Sequence, residues 1–244
     1  LSGEQLTFRN EALKEMIRFY TREAGVRSLE HKIGDICRKT ARIILEKKKE
    51  HMTITKKTVR DMLGTAPFDE EDNNLEPQCG VVRGLAWTSA GGDTLQIEVN
   101  TMPGKGKLLL TGNLGDVMKE SAQIAVSYIR SIGECEKIPE DYFENHDIHV
   151  HVPEGAVPKD GPSAGITIST AILSAVTERK VRGDIAMTGE VTLRGNVLPI
   201  GGLKEKLLAA KNAGVTEVFV PIKNQKNVKD IDKEITGGLA ITYV

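Results

Sequence analysis

The chain has no close pair of cysteines: its three, Cys37, Cys79 and Cys135, are odd in number and far apart. That argues against a disulfide scaffold or a zinc knuckle, leaves free thiols as the default, and fits a reducing, cytoplasmic setting. No apolar run approaches the roughly 20 residues that cross a bilayer. Leu1 opens directly into a mixed polar stretch, with no basic region followed by an apolar one, so neither a membrane partner nor export is expected. A phosphate loop is missing too. No GxxxxGKS or GxxxxGKT occurs, and GKGK at 104–107 lacks both the hydroxyl that would ligate magnesium and the right lead-in. What is present is 39% apolar content over 244 residues, enough for one sizeable core or two smaller ones.

The net charge of −1 conceals two unlike parts. Residues 1–64 hold 15 Lys and Arg against 9 Asp and Glu, whereas residues 65–244 hold 18 against 25. The basic part reads as a small all-α bundle. LKEMIRFYTREAG places Leu13, Ile17 and Tyr20 near one face and reaches a C-cap at Gly25. LEHKIGDICRKTARIILEKKKE turns Leu29, Ile33, Ile36, Ala41, Ile44 and Leu45 toward a core, and TITKKTVRDMLG runs from a Thr55 cap to Gly64. The basic residues, Lys47 to Lys49 above all, read either as a weak DNA contact or as a solvated helix end favoured by the helix dipole. Residues 65–78, TAPFDEEDNNLEPQ, have no sustained periodicity and suit a linker.

From residue 79 to 244 strands and helices mix, which predicts an α+β or α/β domain. GVVRGLAW and GGDTLQIEVNTMPGKGKLLLTG read as short strands separated by glycine turns, with Leu95, Ile97 and Val99 alternating. A helix is predicted over residues 116–132, a strand over 146–152, and a helix after Ser163. A strand near IAMTGEV, a hairpin through LRGNVLPI, the helix LKEKLLAAKNAG and the strand EVFVP follow.

The octapeptide PKDGPSAG, from Pro158 to Gly165, sets a serine in a small-residue turn just before an apolar helical pattern. Unpaired N–H groups at a helix start favour negative charge, so Ser163 reads as a nucleophile beside an anion-stabilising turn. It reads equally as a helix cap. A serine nucleophile needs a base within about 3 Å. His149 and His151, in a strand with His146, share one side and could supply a base or two metal ligands, although no Asp or Cys spacing completes a metal motif. Lys206 flanks the buried stripe Leu203, Leu207 and Ala210, where desolvation would lower its pKa. The alternative for such a lysine is a packed stem with its charge in water.

Two motifs in order carry a resemblance. PKDGPSAG, led in by IHVHVPEGAVPKDG, and TGEVTLRGNVLPIGGLKEK at 188–206 closely resemble the C-terminal part of bacterial Lon, the ATP-dependent serine peptidase. TREAGVRSLE at 21–30 is similar to the small helical, lid-like domain of the AAA+ module that precedes the peptidase, so the likeness covers essentially the whole chain. The resemblance implies a helical domain at 1–64, a linker at 65–78 and a mixed α+β Lon-type peptidase domain at 79–244. It implies hydrolysis of unfolded or misfolded proteins through an acyl-enzyme, in protein quality control and stress response. Ser163 would be the nucleophile, Lys206 the base and Thr188 the group orienting it, with Asp160, Glu98 and His149 as supporting residues and Trp87 on the same side. The oxyanion would meet backbone N–H groups at Ser163 and its neighbouring turn residues. Arg27 would sense nucleotide in the full-length protein. Peptide hydrolysis would need no metal or cofactor here, while the full-length protein would use ATP and Mg as a hexamer, its ATPase core and substrate-recognition domain lying outside a chain cut at Leu1. The rival is a non-catalytic α/β module that binds RNA or a protein partner. RNA binding calls for a basic patch with exposed aromatics, and the acidic 65–244 stretch disfavours it.

Overall fold

The computed structural model describes residues 3–21, 23, 25–47, 50–68, 76–88 and 91–244. Its packing divides the chain into two compact units, Leu1–Asp72 and Asn73–Val244. In the first unit the order is β1 (Leu6–Phe8), α1 (Asn10–Tyr20), α2 (Arg27–Lys47), β2 (Met52–Ile54) and α3 (Lys56–Leu63). Lys48, Lys49 and the Lys47 side chain lie outside the described residues, as do 69–75 of the expected linker.

The helical unit departs from its periodicity in instructive ways. Its first helix buries Ala12, Met16 and Tyr20, one i, i+4 row, while Ile17 stands exposed a turn of about 100° away. That helix stops at Tyr20 rather than reaching Gly25, because Thr21 is extended. The second buries Ile36 and Ile44, eight residues apart on one face, and leaves Leu45 exposed. Glu23 holds its start, the carboxylate accepting from the N–H groups of Ser28 at 2.7 Å and Leu29 at 2.9 Å. The third begins where Thr55 Oγ1 accepts from Thr58 N–H and ends at Gly64, at φ 80°. The bundle also holds a short parallel pair, β1 on β2, which three-residue strands do not announce in sequence.

The second unit runs β3 (Val81–Thr88), β4 (Gly91–Pro103), β5 (Leu108–Thr111), α4 (Asp116–Ser131), α5 (Tyr142–Asn145), β6 (His146–His151), α6 (Gly165–Thr177), β7 (Ile185–Met187), β8 (Glu190–Val191), β9 (Val197–Leu198), α7 (Leu203–Asn212), β10 (Glu217–Val220), α8 (Gln225–Lys229), α9 (Lys233–Thr236) and β11 (Ala240–Tyr243). Seven strands form one mixed sheet in the order β11-β10-β7-β3-β4-β6-β5, and β8 with β9 makes the separate hairpin. Parity along the strands assigns the faces. Val82, Ile97, Val99, Ile148, Val150, Ile185 and Met187 join residues of α4 and α6 in one core. Leu85, Ala186, Val218 and Val220 join Leu203, Leu207 and Ala210 of α7 in another. The sheet therefore lies between two helical layers, with α4 and α6 on one side and α7 on the other.

Candidate active site

Gly161 turns the chain at φ 129°, a conformation that residues with a Cβ rarely adopt, and Pro162–Ala164 then form a single 3-10 turn ahead of α6. Ser163 thus sits in that turn and not, as the periodicity predicts, in the first turn of α6. It does not cap the helix either. The N-cap position belongs to Ala164, with no side-chain cap bond, and Ser163 Oγ instead faces Lys206. The backbone is fixed from the strand side, where Gly189 N–H donates to Ser163 C=O at 2.8 Å and Ile166 N–H to Gly189 C=O at 3.0 Å.

Lys206 lies in α7, in the opposite layer, and reaches Ser163 at the carboxyl end of β7. Its residue is 3% exposed. Nζ lies 3.0 Å from Ser163 Oγ and 3.0 Å from Thr188 Oγ1. Thr188 directly follows β7, is fully buried, and donates its own proton to Ser163 C=O over 3.4 Å. Its lone pairs are therefore free to accept from the lysine. Burial pushes Lys206 down to about 8, and no carboxylate among the described residues opposes the shift.

The other candidates serve different partners. Asp160 Oδ1 accepts from Met118 N–H at 3.1 Å and Gly161 N–H at 2.9 Å, which ties the serine turn to the start of α4. Glu98, on β4, stands opposite His151 and accepts a long 3.5 Å bond from Gln96. His149 and His151 do share a side, but Thr111 Oγ1 takes both, 2.9 Å from His149 Nε2 and 2.7 Å from His151 Nδ1. None of Asp160, Glu98 and His149 hydrogen-bonds the Ser163, Lys206 and Thr188 side chains among the described residues. No group of three or more His, Cys, Asp or Glu among those residues is arranged to hold a metal ion. Trp87 is exposed and seats its ring base against Gly202, the residue before α7. Arg27 is exposed at the first position of α2.

Sequence reasoning missed Asn224. Its buried amide accepts from Ile200 N–H at 2.9 Å and donates to Ile200 C=O at 3.0 Å, pinning the glycine turn that launches α7 and hence Lys206. An asparagine amide mimics a strand edge in this way, but nothing local in KNQKN distinguishes it from a solvated loop residue.

Comparison with known proteins agrees with this geometry. Residues 53–244 match the family profile of the Lon protease C-terminal proteolytic domain, and residues 1–62 match that of the Lon protease AAA+ ATPase lid domain. The chain is 54% identical to Lon protease 1 of Bacillus subtilis over 239 residues, which cover 98% of this chain and 31% of that protein. It is 56% identical to Lon protease of Bacillus thuringiensis over 234 residues, 96% of this chain and 30% of the relative. To Lon protease of Lachnoclostridium phytofermentans it is 48% identical over 283 residues, 100% of this chain and 35% of the relative. The chain spans about a third of the length of the curated relatives it matches.

Proposed function

Since the chain belongs to the Lon protease family and carries its proteolytic domain, a serine peptidase, we propose that Ser163 and Lys206 are the dyad that cleaves peptide bonds, with Thr188 orienting the lysine. One observation carries this reading: a buried lysine amine 3.0 Å from a serine hydroxyl, with its pKa lowered by burial and no opposite charge beside it among the described residues. At an ordinary pKa of 10.5, about one lysine in 3000 is neutral at pH 7, whereas at about 8 roughly one in ten is. The same burial that costs stability supplies the base.

Neutral Lys206 donates one N–H to Thr188 Oγ1, which leaves its lone pair aimed at Ser163 Oγ. As Oγ attacks the scissile carbonyl carbon, its proton passes to Nζ. The oxyanion meets the N–H groups of Ser163 and neighbouring turn residues, which precede the first bond of the turn, Gly165 N–H to Pro162 C=O. The ammonium returns the proton to the leaving amine, and water then repeats the attack on the acyl-enzyme. An amine needs no fixed tautomer, so no aspartate is required behind it.

We take 1–64 as the lid-like domain, 65–78 as a linker and 79–244 as the proteolytic domain. Arg27, alone and exposed, does not make a nucleotide site, and the chain has no phosphate loop, so no step here runs through ATP or Mg. Nucleotide use, a hexameric assembly, unfolded or misfolded protein substrates and a cytoplasmic setting belong to the longer protein, with Arg27 as its nucleotide-sensing contact. A fluorophosphonate or a peptide boronate tests the dyad directly. Mass spectrometry should place the adduct on Ser163, and both Ser163→Ala and Lys206→Ala should lose it; an adduct on another residue would move the nucleophile.

A further inference from the structure

A second lysine of the second unit is buried and unused by the reaction above. Lys159 is 6% exposed and lies four residues before Ser163. Its Nζ donates to three backbone carbonyls: Glu154 at 2.7 Å, Val157 at 3.2 Å and Gly112 at 3.4 Å. An ammonium has three N–H donors and no acceptor, so three carbonyls satisfy it completely. Burial pushes it below the ordinary lysine range, with Glu154 opposing the shift.

These carbonyls belong to two segments. Gly112 follows β5, while Glu154 and Val157 lie in the exposed stretch between β6 and the serine turn. Within that stretch Glu154 takes a left-handed φ of 63°, and the one backbone bond it makes internally runs from Val157 N–H to Glu154 C=O at 3.0 Å. The main chain of Lys159 is clamped from the other side. Its N–H donates to Asn113 C=O at 3.1 Å, and Gly115 N–H donates to its C=O at 2.7 Å. Asp160 then caps α4, packed so close to Gly115 that a Cβ there would lie 2.3 Å from the Asp160 carboxyl carbon. From this point Gly161 and Pro162 lead straight to Ser163.

We infer that Lys159 is a positioning residue for the nucleophile: its ammonium gathers the carbonyls of Gly112, Glu154 and Val157 and so holds the strand exit and the preceding strap in the register that aims Ser163 at Lys206. Lys159 does not touch the reacting atoms. The inference rests on the dyad reading, and its test separates the two.

The measurement is the rate at which a fluorophosphonate labels Ser163 in the full chain, followed across pH. Lys159→Met keeps the stem and removes the charge and donors. Its labelling plateau should fall by about tenfold or more, while the pH midpoint stays near 8, because the burial that lowers the Lys206 pKa is retained. Hydrogen exchange should quicken over 153–158 and stay slow in α6 and α7. Wild-type labelling in Lys159→Met overturns the inference, and so does a moved midpoint, which would mean that Lys159 acts on the base electrostatically. Should Lys159→Met fail to fold, Lys159→Arg decides. Its planar fork keeps the charge but cannot converge on three carbonyls, so a plateau about threefold or more below wild type is expected, and an unchanged plateau overturns the assignment. Labelling of the parent at a residue other than Ser163 would instead overturn the dyad.

Discussion

Each of the two units buries a charge, and they do it in opposite ways. In the helical unit the Glu15 side chain is 3% exposed and answered by Arg60 Nε at 2.6 Å, an arginine itself 64% exposed. In the peptidase unit Lys206 is as deeply buried, but among the described residues its amine meets only two hydroxyls. The first carboxylate is met by an opposite charge and ties α1 to α3. Withholding a counter-charge leaves the second group poised to lose its proton, which is the property a base needs.

Removing the poised pair should give the largest effect. Ser163→Ala and Lys206→Ala should each cut peptide turnover by at least about 10³-fold with the fold retained, as is usual when one member of a nucleophile–base unit is lost. Near-normal turnover in Lys206→Ala between pH 7 and 9 would remove the base from the contrast. Thr188→Val, which keeps the shape and deletes the hydroxyl, should cost roughly 10- to 100-fold in kcat with a smaller change in KM. Wild-type kcat/KM should fall about tenfold per pH unit below 8 and level off above it, since only neutral Lys206 accepts the proton. A midpoint near 6.5 would point to a histidine instead.

Stability should move in opposite directions in the two units. The folded pKa of Lys206, about 8, lies below its unfolded value of 10.5. Below pH 8 both states hold the proton, so the full penalty of burying the ammonium is present, and it fades as pH rises from 8 to 10.5. Lys206→Met should therefore stabilise the chain near pH 7, by up to roughly 3 kcal/mol in urea unfolding, with the gain shrinking toward pH 10. Arg60→Met should do the reverse in the helical unit and cost about 1–2 kcal/mol, read from faster amide exchange in α1 and α3, because it strands the Glu15 carboxylate. If both substitutions shifted stability the same way, the contrast between paired and poised charge would fail.

Much of the site was legible because its signals are local. The PKDGPSAG turn, the glycine turn before α7 and the flanking place of Lys206 beside Leu203, Leu207 and Ala210 are all readable within a dozen residues. The alternation of Ile97 and Val99 likewise predicts their shared burial in the core. What was not legible depends on distant partners. His149 answers to Thr111, 38 residues away, and Asn224 holds Ile200, 24 residues away. The exposure of Ile17 and Leu45 depends on where neighbouring helices lie, and three-residue strands such as β1 and β2 exist only through each other. Lys159 stood in plain view inside the octapeptide, but a lysine caged by carbonyls looks in sequence like any surface lysine.

Ser163 and Lys206 arrive from opposite layers of the sheet and are 43 residues apart in the chain. Such a contact exists only where both layers have closed on β7, against the entropy of closing a long loop. A chain whose layers have not closed lacks the Ser163–Lys206 contact and so, on the proposed reading, the chemistry that depends on it. On the proposed reading, completing the fold is also what completes the dyad.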